Sequence, residues 1–415
     1  MVGMSDAMEP LASAMPRFVP RDVRLYQAGR LLAIVAEQMI SVAVGWQVYA
    51  RTGRPFDLGL VGLVQFVPAI GLSLVAGHAT DRFDRRQVVM VACASLTCVA
   101  VALAVTARAG SAIWQLYALL FVFAIGRAFL APASQALLAD LVPPAQLART
   151  VAWSSSLWEI AAIVGPALGG WMYSIGHGAG AVYVAGAIAY LAALASTAAM
   201  AVRTGRMEQQ PVSWSTVVAG VVYVWRNTIL LGTISLDLFA VLFGGAAALL
   251  PVFARDVLQV GPWGLGLLRS APAVGAALAA IVIGWRPLER RAGATMLVGV
   301  ALYGAATVVF GASRYFGLSL LALAVVGAAD MVSVVVRSTL VQVVTPPVMR
   351  GRVSAVNMVF IGASSELGAL ESGMTAAWLG AVPSVIAGGV AACLVVAAYA
   401  VLFPGLRAVD RLGDG

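Results

Sequence analysis

Four ionisable residues stand inside long apolar stretches of this 415-residue chain: Glu37, Arg127, Asp237 and Asp330. A charged group at the middle of a bilayer costs roughly 2.5–3.5 kcal/mol, so four of them need a function or a partner. Three carboxylates and one guanidinium suit two kinds of chemistry. A carboxylate without a cation in a medium of low dielectric takes up a proton more readily, and a neighbouring arginine opposes that. Alternatively, all four form fixed ion pairs that hold helices together. The expected arrangement pairs Arg127 with Asp330 or Glu37. Asp237 then stays free to titrate, and Asp237 or Glu37 is the proton-coupling carboxylate. Glu159, Glu366 and Glu371 form a second acidic group, in which Glu366 is either a second proton site or a partner for Arg337 or Arg352. Arg30 lies seven residues before Glu37 on nearly the same helix face, and Arg269 and Gln65 are expected along the outer part of the same cavity. Trp46, Trp153, Trp158 and Phe239 are candidates to stack on a ligand or simply to pack.

Other chemistries find no support. The chain has two His, His78 and His177, in unrelated loops. Its Cys residues, Cys93, Cys98 and Cys393, lie in apolar runs without metal-ligand spacing. It contains no HExxH and no phosphate-binding Gly-Lys-Ser/Thr motif. No metal, cofactor, catalytic residue or ATP site is expected, and the chain does not read as an enzyme.

Composition states what must position these groups. Hydrophobic residues make up 61% of the chain and charged residues 11%, whereas soluble domains carry about a quarter charged residues. Spans of roughly 20 apolar residues are predicted near 26–50, 57–78, 87–108, 113–138, 151–174, 181–202, 228–252, 263–284, 293–312, 315–340, 353–378 and 382–403. The pattern also runs twice. FVPAIG at Phe66–Gly71 returns as SAPAVG at Ser270–Gly275, 204 residues later. DLVPPAQLART at Asp140–Thr150 returns as VVTPPVMRGRV at Val343–Val353, 203 residues later. Under that shift Gly165 falls on Gly368, Gly170 on Gly373 and Arg127 on Asp330. Parallel repeats in so apolar a chain point to a secondary transporter with its site between the halves.

The expected organisation is an all-α membrane protein with twelve transmembrane helices in two pseudo-symmetric bundles. An N-terminal tail (1–25) leads to the first bundle (26–202). A linker with an interfacial segment (203–227), carrying Trp214, Tyr223 and Trp225, leads to the second bundle (228–403) and a tail (404–415). The formal net charge of +8 comes from 26 Arg and no Lys. Most of these, including Arg21, Arg24, Arg82, Arg85, Arg86, Arg149, Arg286, Arg290, Arg291, Arg350 and Arg352, fall on one side. Loop positive charge faces the cytoplasm, so both termini are expected inside and nucleic acid is not an expected partner.

Two motifs sharpen this reading. GHATDRFDRR at Gly77–Arg86 resembles the signature loop of the major facilitator superfamily, G-x-x-x-D-R-x-x-R-R. Thr80 and Asp84 depart from its usual pattern. The resemblance implies that Gly77 permits a close helix approach. Asp81, Arg82, Arg85 and Arg86 would then form a charge network at the cytoplasmic gate. The equivalent loop, Gly284–Gly293, keeps Arg286, Arg290 and Arg291 but lacks the Asp. IVGPALGG at Ile163–Gly170 resembles the family's antiporter motif: Gly165, Gly169 and Gly170 leave a smooth face and Pro166 removes one backbone hydrogen bond. In the family that motif marks exporters more than importers. Trp46–Gly53, Gly59–Gly71 and Asp237–Leu258 resemble the enterobactin-exporter branch, whose relatives carry macrolides and other drugs. In the fold so implied, the helices bearing Glu37, Arg127, Asp237 and Asp330 line the central cavity.

The resulting expectation is a proton-coupled exporter of a small amphiphile, a siderophore or a drug, driven by the proton gradient alone. It would work as a monomer in a bacterial cytoplasmic membrane. A proton-coupled importer and a non-transporting sensor are the alternatives.

Overall fold

The computed structural model describes residues 20–108, 111–202, 214–286 and 292–404. Nearly all of them are helical. The first half comprises α1 (Pro20–Thr52), α2 (Pro55–Gly71), α3 (Ser73–Arg82), α4 (Arg85–Arg108), α5 (Ile113–Leu141), α6 (Pro144–Ile175) and α7 (Ala179–Ala198). A short surface helix, α8 (Trp214–Arg226), precedes the second half. There α9 (Thr228–Phe243), α10 (Ala246–Val252) and a π turn (Phe253–Val257) lead to α11 (Gly261–Trp285) and α12 (Ala292–Ala312). The chain ends with α13 (Phe316–Val344), α14 (Pro347–Leu379) and α15 (Ala381–Leu402).

Among the described residues, ten helices are long and apolar enough to cross a bilayer, or eleven if α2 and α3 form one bent span. The α14 helix, at 33 residues, has the length and occupies the place of the remaining expected span. Buried side chains such as Ile40, Leu96, Tyr183 and Tyr190 fill the first half, while Val91, Val105, Val298 and Leu394 stay exposed. Large aliphatic side chains on the outside suit a surface that meets lipid.

The predicted spans start late at three places. Asp22 accepts hydrogen bonds from the Ala201 and Val202 amides at 3.0 and 2.8 Å. It ties the first turn of α1 to the segment that follows α7, and α1 begins at Pro20, inside the expected tail. The α6 and α14 helices open at Pro144 and Pro347 rather than at 151 and 353. Each starts on the second proline of a repeated Pro-Pro pair. The second ring suits the first helical position, and it bars its predecessor from helical geometry. The expected span 228–252 is broken at Gly244–Gly245, where the Gly244 carbonyl accepts a hydrogen bond from Tyr303 at 3.2 Å. The charged part of the expected linker (Arg203, Arg206, Glu208), Arg290, Arg291, and nearly all of both expected tails lie outside the described residues. Within α8, Trp225 is exposed and Val224 is buried against Val353 and Val356 of α14.

The halves meet along two diagonal seams, α6 against α11 and α2 against α14. Both use repeat-related glycines. A Cβ on Gly170 would come within 2.9 Å of the Gly266 Cα, and one on Gly373 within 2.7 Å of the Gly59 Cα. One buried core runs from the first half into Leu249, Phe253 and Leu265 of the second. These residues sit at the end of the molecule opposite the termini. At the terminal end the second half has separate clusters of its own, around Met296 and Leu340 and around Val353 and Val356.

Candidate functional site

Between the halves lies a cavity of about 630 Å³ whose charged lining is Glu37, Arg127, Arg269, Asp330 and Glu366. It joins a second cavity of about 610 Å³ through shared residues that include Glu37, Gln65, Arg127, Trp158 and Glu366. The second cavity runs along Tyr26, Arg30, Gln135 and Thr197 toward the terminal end. The combined path runs from the midplane toward that side, while the far end is packed by the continuous core around Leu249, Phe253 and Leu265.

Its centre is one network. Arg127 on α5 forms an ion pair with Glu37 of α1 at 2.7 Å and donates to the Gln65 amide oxygen of α2 at 3.1 Å. One guanidinium therefore fastens three helices of the first half. The repeat places Arg269 opposite Gln65 and Asp330 opposite Arg127. Both line the same cavity, and neither makes a hydrogen bond or ion pair among the described residues. Glu366 belongs to the α2–α14 seam, where a Cβ on Gly62 would meet its carboxylate at 3.4 Å. It lines the same cavity as Arg127 and Arg269.

Several expected assignments change. Asp237 does not line the cavity: it is buried in an ion pair with Arg337 of α13. It is therefore not the free carboxylate expected. Arg337, expected near Glu366, is occupied by Asp237, and Arg352 contacts the Met349 sulphur instead. Arg269, expected along this cavity, and Glu366 complete its charged lining in place of Asp237. For Glu366, an acid at bilayer depth two residues before the repeat glycine Gly368 was the available signal. Glu159 has a buried carboxylate oxygen without a hydrogen-bond partner, and Glu371 sits beside Ser372 at 3.4 Å. Neither lines the two cavities. Of the four aromatics only Trp158 does; Trp46 packs edge-on against Tyr173, Phe239 stacks on Phe243, and Trp153 is exposed elsewhere.

The signature loop is pinned within the first half. Arg85 pairs with Asp140 at 2.6 Å, and Arg86 donates to the Thr197 and Ala198 carbonyls at 3.0 and 2.7 Å, closing the end of α7. Arg82 is exposed, and Asp81 makes no ion pair among the described residues. A Cβ on Gly77 would meet nothing within 4 Å. The close approach expected there is absent among the described residues.

The antiporter-like motif works at the opposite, sealed end. Cβ atoms on Gly165 and Gly169 would strike α1, at 2.6 Å from the Gln38 Cβ and 2.9 Å from the Met39 Cα. Gly170 faces α11 across the seam, and the carbonyl of Ile163 accepts from Ser270 at 2.6 Å. Beyond these glycines a polar latch closes the far end. The Tyr49 hydroxyl donates to Asp256, and Arg255 donates to the Tyr49 carbonyl at 3.0 Å while lying 5.4 Å from its ring centroid. Removing that hydroxyl with Tyr49→Phe is expected to weaken the closed far end by about 1 kcal/mol. Spin labels at Arg108→Cys and Arg314→Cys, on opposite halves at that end, would read this as a second, longer distance. An unchanged distance distribution would show that the latch contributes nothing.

Two membrane-crossing helical bundles around a central polar cavity sealed at one end define a transporter scaffold. The sequence pattern of the Major Facilitator Superfamily matches residues 28–369, and the chain belongs to that superfamily. It is 27% identical to the multidrug efflux pump Tap of Mycolicibacterium fortuitum over 383 residues, covering 89% of this chain and 92% of that protein. It is 28% identical to macrolide efflux protein A of Streptococcus pyogenes over 149 residues. That match spans 36% of this chain and only 37% of the relative. Its fold is shared with a bacterial homologue of the human lysosomal transporter Spinster, solved in an inward-facing and unoccupied conformation. There the TM-score is 0.74 at 14% identity, over 94% of this chain and 98% of the other.

Proposed function

We propose that this protein exports amphiphilic, cation-bearing small molecules from a bacterial cytoplasm in exchange for protons, with both termini on the cytoplasmic side. The observation that carries the reading is the charge balance of the midplane cavity. Three carboxylates, Glu37, Asp330 and Glu366, face two guanidiniums, Arg127 and Arg269. At the midplane one negative charge is in excess, Arg30 standing further along the path toward the terminal end, and either a proton or a cationic substrate neutralises it. Two ligands that compete for one charge cannot both ride in the same direction, which is the requirement of antiport. The open terminal end is then the loading side, and the excess of arginine around it agrees with a cytoplasmic face.

Drug-like amphiphiles fit this cavity better than an anionic siderophore does, and the names of the relatives, multidrug and macrolide efflux, run the same way. The resemblance of Gly165, Pro166, Gly169 and Gly170 to the family's antiporter motif favours export over import.

Everted vesicles energised by respiration and loaded with a pH-sensitive dye provide the test. A panel of macrolides, cationic dyes and catechol siderophores is expected to trigger proton release with the first two classes. Asp330→Asn and Glu37→Gln are expected to lower the rate about tenfold or more, the effect of losing roughly 1.4 kcal/mol at the limiting step. Proton movement unchanged in both variants would defeat the assignment of these carboxylates. Silence of the folded wild type across the panel would defeat the exporter reading.

A further inference from the structure

A groove of about 710 Å³ lies between α1 and α6 at the terminal end, apart from the transport path. Arg24, Gln146 and Arg149 border it, with Leu31, Trp153 and Leu157 below them. On α1 the cavity face is carried by Tyr26, Arg30, Ala33 and Glu37. Arg21, Arg24 and Ala28 form a different, exposed stripe, at helical spacing. The groove therefore opens outward.

The outward face of α6 shows what lies against it. Trp153, Ile160, Val164, Leu168 and Trp171 recur at spacings of one or two helical turns, and every one is exposed. Trp153 and Trp171 are separated by about 27 Å at 1.5 Å per residue, close to the hydrocarbon thickness of about 30 Å. Tryptophans at both ends of an exposed apolar stripe mark the two interfaces of a bilayer. Arg149, one turn before Trp153, is thus at headgroup depth, with Arg24 and Arg21 on the adjoining helix. Cationic side chains at that depth, above an apolar channel along a neighbouring helix, complement a phosphate that carries acyl chains. Basic pockets between membrane helices take anionic headgroups on this physical basis.

We propose that this groove binds one anionic phospholipid of the leaflet on the terminal side. Its phosphate lies between Arg24 and Arg149, its glycerol beside Gln146, and one acyl chain along Trp153, Leu157 and Ile160. The site needs only a membrane-crossing chain and is independent of what the cavity carries.

Native mass spectrometry of the full-length protein, released from detergent after incubation with phosphatidylglycerol or phosphatidylcholine, tests it. One phosphatidylglycerol is expected to remain bound at activation energies that strip phosphatidylcholine. The double variant Arg24→Gln/Arg149→Gln should weaken its retention about tenfold, the loss of one good charge-assisted contact. Arg226→Gln, at the same end but outside the groove, should retain it. Trp153→Ala, which leaves the arginines intact, should also lower retention. Soluble glycerol phosphate at the same concentration should not compete. Equal retention of the two lipids overturns the proposal. So does equal loss in Arg226→Gln, which would mean diffuse attraction, or displacement by glycerol phosphate, which would mean a site for the free phosphate. A double variant with a lowered unfolding temperature is replaced by Arg149→Gln alone, for which undiminished retention also overturns it.

Discussion

Asp237→Asn is expected to destabilise the folded protein by about 3–5 kcal/mol, because it leaves the Arg337 guanidinium buried without its counter-charge. Both side chains are nearly inaccessible, at 5% exposure for Arg337 and 6% for Asp237. Leu236, Ala240, Val336 and Leu340 of the surrounding apolar cluster offer no substitute acceptor. The midpoint of thermal unfolding in detergent should fall by roughly 5–10 °C. Replacing both partners, as in Asp237→Leu/Arg337→Met, should recover most of that loss, since two well-packed apolar side chains often match a buried pair. A free coupling carboxylate would behave in the opposite way. Asp237→Asn would then keep wild-type stability and lose proton movement, and the double variant would be no better than the single one. Unfolding midpoints of the three proteins therefore decide between a strut and a proton site.

Asp237 was expected on the cavity wall and is instead paired with Arg337, for a reason that lies in helix geometry. Depth in the membrane can be read from the apolar runs, and it put Glu37, Arg127, Asp237 and Asp330 at comparable levels. Azimuth around each helix cannot be read that way. The repeat position of Glu37 is Val241, which does line the cavity; Asp237 lies four residues earlier, and its side chain is taken up by α13. Arg337, seven residues after Asp330, stands on nearly the same face of α13 but further toward the terminal end. It meets a different neighbour there.

Repeat symmetry was the more dependable guide. Gln65 and Arg127 touch in the first half, and their counterparts Arg269 and Asp330 face one cavity in the second. Gly170 and Gly373 occupy equivalent seams. The paired prolines set the starts of α6 and α14 ahead of the predicted spans. Gly77 shows a further limit. A motif encodes contacts for every state of a moving protein, and one conformation displays only some of them.

That limit makes the sealed end the place where a substitution has the clearest conformational effect. Gly170→Val is expected to hold the far end open. A side chain there would enter the space between α6 and α11, where even a Cβ comes within 2.5 Å of the Pro262 carbonyl oxygen. Forcing methyl groups into such a contact costs about 1–3 kcal/mol. Separation of the halves at that end relieves the clash, whereas the contacts of α6 with α1 through Gly165 and Gly169 are untouched. The penalty thus falls on the closed state alone, and a differential of this size shifts a two-state balance by about 5–150-fold. Gly373→Val on the other seam should act in the same direction, because its Cβ would meet the Gly59 amide nitrogen at 2.8 Å. With Cys93, Cys98 and Cys393 replaced by serine, Val61→Cys reports from the cavity wall. An impermeant maleimide added from the far side should label it slowly in the wild-type background and at least about tenfold faster beside Gly170→Val. Equal rates, with both proteins folded, would mean that the glycine seam does not govern closure. The far-end seal would then rest on the Tyr49–Asp256 latch and its arginine.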